Sequence, residues 1–241
     1  MRTAALASAI VLIAACSAGG AHESRDQSGE RAQRSFEVGA FERINLAGSH
    51  DVVVTVGGAP SVRAEGDSEA LERLEIGVEN GELRIANRSS SWSWFGGRHR
   101  GVTVHVTVPA LTAASVTGSG DMRVDRVEGQ GFAASVGGSG ELDLPSVRVA
   151  VASFSVTGSG DIRAAGSARR STAALTGSGD LDLAGLETAD ASIALAGSGD
   201  IDVRATGTAS IDLRGSGDVT VTGPARCTIS KSGSGDVRCG S

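Results

Sequence analysis

The sequence predicts an all-β, single-domain, right-handed parallel β-solenoid (β-helix) with 18–20 residue coils and an elaborated N-terminal cap. Three observations carry that prediction. The tetrapeptide Gly118-Ser119-Gly120-Asp121 recurs at 138–141 (with Glu141), 158–161, 177–180, 197–200, 215–218 and 233–236, so successive acids lie 20, 20, 19, 20, 18 and 18 residues apart. Apolar residues alternate with polar ones on both sides of each copy, which is the period of a strand and not of a helix. Aromatic residues make up only 3% of the chain while glycine supplies 35 of its 241 residues. That composition suits a narrow interior of Ala, Val, Ile and Leu closed by glycine corners.

Each repeat reads as strand, glycine turn, strand and a looser corner. Five residues before the acid stand Val116, Val136, Val156, Leu175, Leu195 and Leu213; one after stand Met122, Leu142, Ile162, Leu181, Ile201, Val219 and Val237. Val127, Val147 and Leu186, six after the acid, indicate a short third side. Antiparallel hairpins also alternate, but they do not require the same residues every 18–20 positions. Stacked coils do, because each pairs with the next at about 4.8 Å and aligns equivalent residues in ladders. The composition excludes collagen, which needs glycine at every third position and far more than 4 prolines. A net charge of −6 excludes a nucleic-acid partner, which calls for a basic face.

In chain order, residues 1–15 read as a lipoprotein signal peptide: Arg2 is the positive start and Ala4–Ala14 an uncharged apolar run. The run is shorter than the ~20 residues a membrane-spanning helix needs. Ile13-Ala14-Ala15-Cys16 resembles a bacterial lipobox, which makes Cys16 the acylated residue. Ser17 stands where an inner-membrane retention signal would carry Asp, so the expected address is the outer membrane, lipid-anchored and periplasmic or surface-exposed. Residues 16–34 are the acylated cysteine and a polar flexible tether. Residues 35–108 depart from the period and form the N-terminal part of the solenoid, with a single helical turn over 67–73 and a hairpin turn at Asn80-Gly81. Residues 109–241 are the regular Gly-Ser-Gly-Asp coils.

Phe41-x-x-Ile44, Gly48-Ser49-x-Asp51-Val52, Val62-x-Ala64-x-Gly66-Asp67, Leu71-x-x-Leu74 and Asn80-Gly81-x-Leu83-x-Ile85 precede the repeat. Over roughly residues 36–238 this order of motifs resembles the auto-transporter adhesin, head GIN domain family of bacterial envelope proteins. The resemblance implies a β-helical fold and a lipoprotein signal. It brings no catalytic residues with it.

The ladder of Asp121, Glu141, Asp161, Asp180, Asp200, Asp218 and Asp236 places carboxylates about 4.8 Å apart. Neighbouring charges there repel by about 1 kcal/mol in water and about 3.5 at an effective dielectric near 20, so backbone donors, serine hydroxyls or cations must offset them. A turn-stabilising role is the expectation. Calcium is the competing one, with a single acid per turn against the six to eight oxygens calcium prefers. The residues two further on, Arg123, Asp143, Arg163 and Asp182, alternate in sign and predict an outward ion-pair ladder.

With Cys16 acylated, Cys227 and Cys239 remain as a disulfide pair, or as two reduced core cysteines. Lys231 replaces the Val or Leu of earlier coils, a charge that blocks further stacking on the last coil. The one segment that breaks the repeat holds both tryptophans: Trp92, Trp94, Phe95, Arg98 and His99 form a candidate recognition loop, or a hydrophobic lid over the solenoid end. No acid–base pair stands out from the repeating background, the serine of the repeat has no histidine companion, and His22, His50, His99 and His105 offer no metal-ligand spacing beyond a loose pair, His99 and His105. The expected function is therefore a non-enzymatic, adhesin-like envelope lipoprotein without catalytic residues, cofactor or resident metal. Its expected partners are the membrane through the lipid, and an envelope protein or polysaccharide. A polysaccharide-active enzyme on a β-helix and a structural or calcium-binding surface protein are the alternatives.

Overall fold

The computed structural model of the chain describes residues 31–88 and 101–240. Strands account for 74% of it and helix for 3%, and the parallel coils stack as a β-solenoid of about 6 turns. The elements in chain order are β1 (Arg31–Phe36), β2 (Arg43–Gly48), β3 (Asp51–Val56), β4 (Ser61–Asp67), α1 (Ser68–Arg73), β5 (Leu74–Glu79), β6 (Glu82–Asn87) and β7 (Thr103–Val108). They continue as β8 (Ala113–Gly118), β9 (Met122–Val124), β10 (Val127–Gly138), β11 (Glu141–Gly158), β12 (Asp161–Gly177), β13 (Leu181–Gly197), β14 (Ile201–Gly215), β15 (Val219–Thr222), β16 (Arg226–Gly233) and β17 (Val237–Cys239).

From β8 onward every coil pairs in parallel with the next, and equivalent residues align. Ala134 faces Phe154 and Phe154 faces Ala173, while Leu142 faces Ile162 and Ile162 faces Leu181. The inward residues of these columns are buried. Phe154, the one ring in its column, fits because small alanines lie above and below it, the large-against-small packing that fills a core without voids. The third side is present too, with Val127, Val147 and Leu186 all buried. Variation in coil length is absorbed at the corners: the register shifts between Leu144 and Val147, Arg163 and Ala165, and Leu183 and Glu187, and again between Thr188 and Asp190. The glycine turn itself stays in step from coil to coil.

The two glycines of the turn are needed for different reasons. Gly158 sits at φ 121°, a backbone state that side chains avoid, and an added Cβ would lie 2.5 Å from the Gly138 carbonyl oxygen. Gly160 has ordinary backbone, but an added Cβ would collide with the Gly140 carbonyl and come within 2.6 Å of Val136 Cγ1. Positive φ and close approach together explain the first glycine, and close approach of stacked backbones alone explains the second. The Ser159 N–H donates to Gly138 O at 2.8 Å, and the Ser178 N–H to Gly158 O at 2.8 Å, so the stacking carries through the turn.

The N-terminal region is more than an irregular start. β2 pairs in parallel with both β6 and β8, and β3 with both β7 and β9. The coil made by β2 and β3 thus lies between a coil made later in the sequence, β6 and β7, and the regular stack. Antiparallel strands then cover the exposed edges: β5 on β6, β4 on β7, and β1 on β4. Asp67 caps α1 by accepting from the N–H groups of Glu69 and Ala70 at 3.0 and 3.2 Å. Asn80 and Gly81, at φ 51° and 75°, turn β5 into β6 as expected for a hairpin.

One strand begins inside the segment read as tether. β1 starts at Arg31 and pairs with β4 from Arg31 opposite Asp67 to Phe36 opposite Val62. Ala32 and Phe36 pack against the core, and the Arg34 guanidinium lies 4.9 Å from the Phe36 ring centroid. Two apolar residues among polar ones gave too weak a period to mark a strand. The unpaired edge of β4 supplies the backbone partners that hold it.

Candidate functional site

The outward residues divide the regular coils into three unlike faces. On the first, Arg123 pairs with Asp143, and Arg163 with Asp182 at 3.4 Å and Glu141 at 3.1 Å. This is the predicted alternating ladder. On the second, Arg148 stands 4.0 Å from Glu128 and Arg204 3.1 Å from Glu187. Most charges on both faces are paired along the coil axis, except that Asp182 is followed in register by Asp202.

The third face is different. Its columns read Ala113, Ala133, Ser153, Thr172 and Ser192; Ser115, Ser135, Ser155, Ala174 and Ala194; and Thr117, Gly137, Thr157, Thr176 and Ala196. No side chain among these is charged or larger than threonine, and the Ser135 hydroxyl donates to Ser115 Oγ at 3.0 Å. Parallel pairing keeps the columns level, so the face is flat and lined with hydroxyl and methyl groups. Charge bounds the face at both ends: Arg43, level with Ala113, pairs with Glu82 at 3.7 Å, and in the coil after Ser192 Arg214 and Asp212 pair at 2.6 Å.

The acid ladder runs along the edge formed by the glycine turns. Each aspartate takes the N–H of the acid in the following coil on its Oδ1: Glu141 on Asp121 at 3.0 Å, Asp180 on Asp161 at 2.8 Å, Asp200 on Asp180 at 3.0 Å, Asp218 on Asp200 at 2.8 Å and Asp236 on Asp218 at 2.8 Å. The single break follows Glu141. Its extra methylene carries the carboxylate outward to Arg163, and the Asp161 N–H turns to Gly140 O at 3.1 Å instead. A hydrogen bond to a charged acceptor contributes about 1.5–3 kcal/mol, more than the about 1 kcal/mol of repulsion between solvated neighbours. Among the described residues no group of three or more His, Cys, Asp or Glu side chains is arranged around a metal position.

Cys227 and Cys239 are bonded across the interior of the last coil, with Cα atoms 6.4 Å apart. Both are half-exposed. Lys231 is exposed and its Nζ lies 3.7 Å from Asp236 Oδ1. His105 points outward from β7, 3.5 Å from Glu65 Oε1. His50 is buried and its Nε2 lies 2.5 Å from Asn87 Oδ1. It stands where later turns carry their second glycine. Cys16, His22 and the candidate loop of Trp92, Trp94, Phe95, Arg98 and His99 lie outside the described residues. The uncharged face was open to reading from the sequence, since alternate positions in five successive repeats lack charge; the signal is an absence within a pattern.

The fold is shared with solved structures. The chain is similar to a protein described as a putative adhesin from Bacteroides fragilis NCTC 9343, with a TM-score of 0.80 and 20% identity over 88% of this chain and 97% of that one. It is similar to a putative adhesin from Parabacteroides distasonis ATCC 8503 (TM-score 0.70, 20% identity, 88% and 97% covered). A putative lipid binding protein from the same organism also matches (TM-score 0.69, 22% identity, 88% and 97% covered). No curated protein matches the sequence. The family model described as "Putative auto-transporter adhesin, head GIN domain" matches residues 40–225, and the chain belongs to that family.

Proposed function

We propose that the protein is a non-enzymatic cell-envelope lipoprotein, anchored in the outer membrane through acylated Cys16, whose solenoid is an adhesin-like binding module. The observation that supports this most is the flat uncharged face of Ser, Thr and Ala beside two faces whose charges are mostly paired. A surface with satisfied ion pairs has little to offer a partner, whereas a level array of hydroxyl and methyl groups meets an extended ligand without a desolvated charge. The family's adhesin-like description agrees with such a role. The loop of Trp92, Trp94, Phe95, Arg98 and His99 is a second candidate contact, offering aromatic rings beside cations.

The test is capture from envelope extract by the full chain, beside a Ser153→Arg/Thr172→Arg variant and a Trp92→Ala/Trp94→Ala variant. Loss of a captured protein or glycan with the arginine variant alone supports the face; loss with the tryptophan variant alone moves the contact to the loop. Equal capture by all three rejects both surfaces. The anchor is tested separately by metabolic labelling with a tagged fatty acid. Incorporation lost in Cys16→Ala supports acylation at that cysteine, and label retained in the variant rejects it.

A further inference from the structure

We propose that the corner lined by Ala150, Val151, Arg169, Arg170, Ala189 and Asp190 binds an anionic polysaccharide. The inference rests on the reading of the chain as a binding module and names the class of ligand. Neighbouring residues in a straight strand point to opposite faces. Here β12 bends, and Arg169 and Arg170 are both exposed between buried Ala168 and Ser171. Two guanidinium groups therefore leave the surface side by side.

They are also uncommitted. On the regular coils Arg123, Arg148, Arg163, Arg204, Arg214 and Arg238 each pair with a carboxylate, while Arg126 and Arg226 have no ion pair among the described residues but stand singly. Arg169 and Arg170 form no ion pair among the described residues. The register places Arg170 between Val151 and Asp190, and the Asp190 carboxylate instead accepts from the Thr208 hydroxyl at 2.7 Å. The small side chains of Ala150 and Ala189 leave a shallow cleft beside the pair.

The ligand class follows from what borders the cleft. Guanidinium forks bind carboxylate or sulfate oxygens in pairs. Val151, 47% exposed, offers an apolar seat for the C–H face of a sugar ring. Past the corner, the column of Ser153, Thr172 and Ser192 presents hydroxyls to the sugar's own hydroxyls. A protein partner would seek large apolar anchors, and these six residues hold no ring. An anionic membrane surface takes clusters of about four to eight basic residues, more than stand here. A chain of net charge −6 has no general attraction for polyanions, so binding would have to be local.

The experiment titrates the full chain with polygalacturonate, dextran sulfate and neutral dextran by calorimetry at low and moderate salt. Salt-sensitive binding of either polyanion, without binding of neutral dextran, is the expected result; the two arms tell carboxylate from sulfate. Arg169→Ala/Arg170→Ala should weaken that binding at least tenfold, and Asp190→Asn should tighten it about two- to threefold by removing a like charge from the cleft. Arg123→Ala/Arg204→Ala removes the same charge elsewhere and should leave binding unchanged, with circular dichroism confirming that each variant is folded. No binding of either polyanion overturns the proposal, as does an equal loss in the Arg123/Arg204 control. If polyanions fail while capture from envelope extract persists, the corner is wrong and the binding-module reading stands; if both fail, that reading fails as well.

Discussion

Lys231 Nζ lies 3.7 Å from Asp236 Oδ1, so the last carboxylate of the acid ladder is met by an ammonium where earlier ones meet the N–H of a following coil. Lys231 also occupies the column of Leu213, its register partner. One side chain thus ends two ladders, the apolar one inside and the acidic one at the turn. Beside it Ile229 is 48% exposed, an inward residue with no coil above it. An open edge of this kind templates pairing with another chain unless a charge intervenes. Lys231→Leu should therefore turn a monodisperse protein into one that self-associates at micromolar concentration, read by analytical ultracentrifugation. A variant with unchanged sedimentation would show that the lysine does not guard the edge.

The two glycines of the turn should both resist alanine, one of them for an additional reason. Gly160→Ala forces a Cβ into the Gly140 carbonyl, and Gly158→Ala adds positive-φ strain to a similar collision. Each should cost about 2 kcal/mol or more, the range of overpacking and backbone strain. Gly39→Ala, with nothing within 4 Å of the added carbon, should stay within about 0.5 kcal/mol of the parent. Urea denaturation midpoints compare the three. Equal midpoints for Gly39→Ala and Gly160→Ala would deny that close stacking dictates the motif.

The acid ladder predicts an asymmetry between two substitutions at Asp180, whose Oδ1 accepts from the Asp200 N–H at 3.0 Å. Asp180→Asn keeps an acceptor oxygen in place and should change stability by less than about 1 kcal/mol. Asp180→Ala leaves the Asp200 N–H without its partner and should cost about 1–3 kcal/mol. Glu141→Asp should gain about 0.5–1.5 kcal/mol by giving the Asp161 N–H the carboxylate partner that other coils have. Denaturant titration decides, and a destabilised Glu141→Asp would mean that the Arg163 pair outweighs the ladder bond.

The regular coils were legible because their interactions are local to the period. Once Gly158 and Gly177 are recognised as equivalent, Phe154 beside Ala173 and Leu142 beside Ile162 follow from counting. The N-terminal order was not legible for the converse reason. Nothing in Ile44 or Val52 records that their coil slips between β6–β7 and β8–β9; that choice is made by long-range pairing alone. β1 is not legible in the sequence because its edge partner, and not its own pattern, makes it a strand. At the candidate site the paired ladders were visible as alternating signs from Arg123 to Asp182. The flat face is legible as uncharged alternate positions in five repeats, whereas the Arg169–Arg170 corner needs the bend position, which Ala150-Val151 and Ala189-Asp190 in the adjacent coils do not mark by polarity.

The bond between Cys227 and Cys239 spans the interior of a coil that has a neighbour on one side only. In earlier coils the equivalent inward positions, Ala209 and Val221, hold together by packing and are buried. In the last coil packing is halved, and the covalent link takes its place. With a sequence separation of 12 residues, the chain-entropy model assigns the closed loop about 3 kcal/mol. Because the coil is terminal, its loss should be felt locally before it is felt globally. Cys227→Ser/Cys239→Ser should raise hydrogen exchange across 226–239 by at least tenfold while residues 142–183 keep their protection. Uniform protection in the variant would mean that stacking on β14 and β15 alone holds the last coil, and a uniform rise would mean that the solenoid unfolds from this end as one unit.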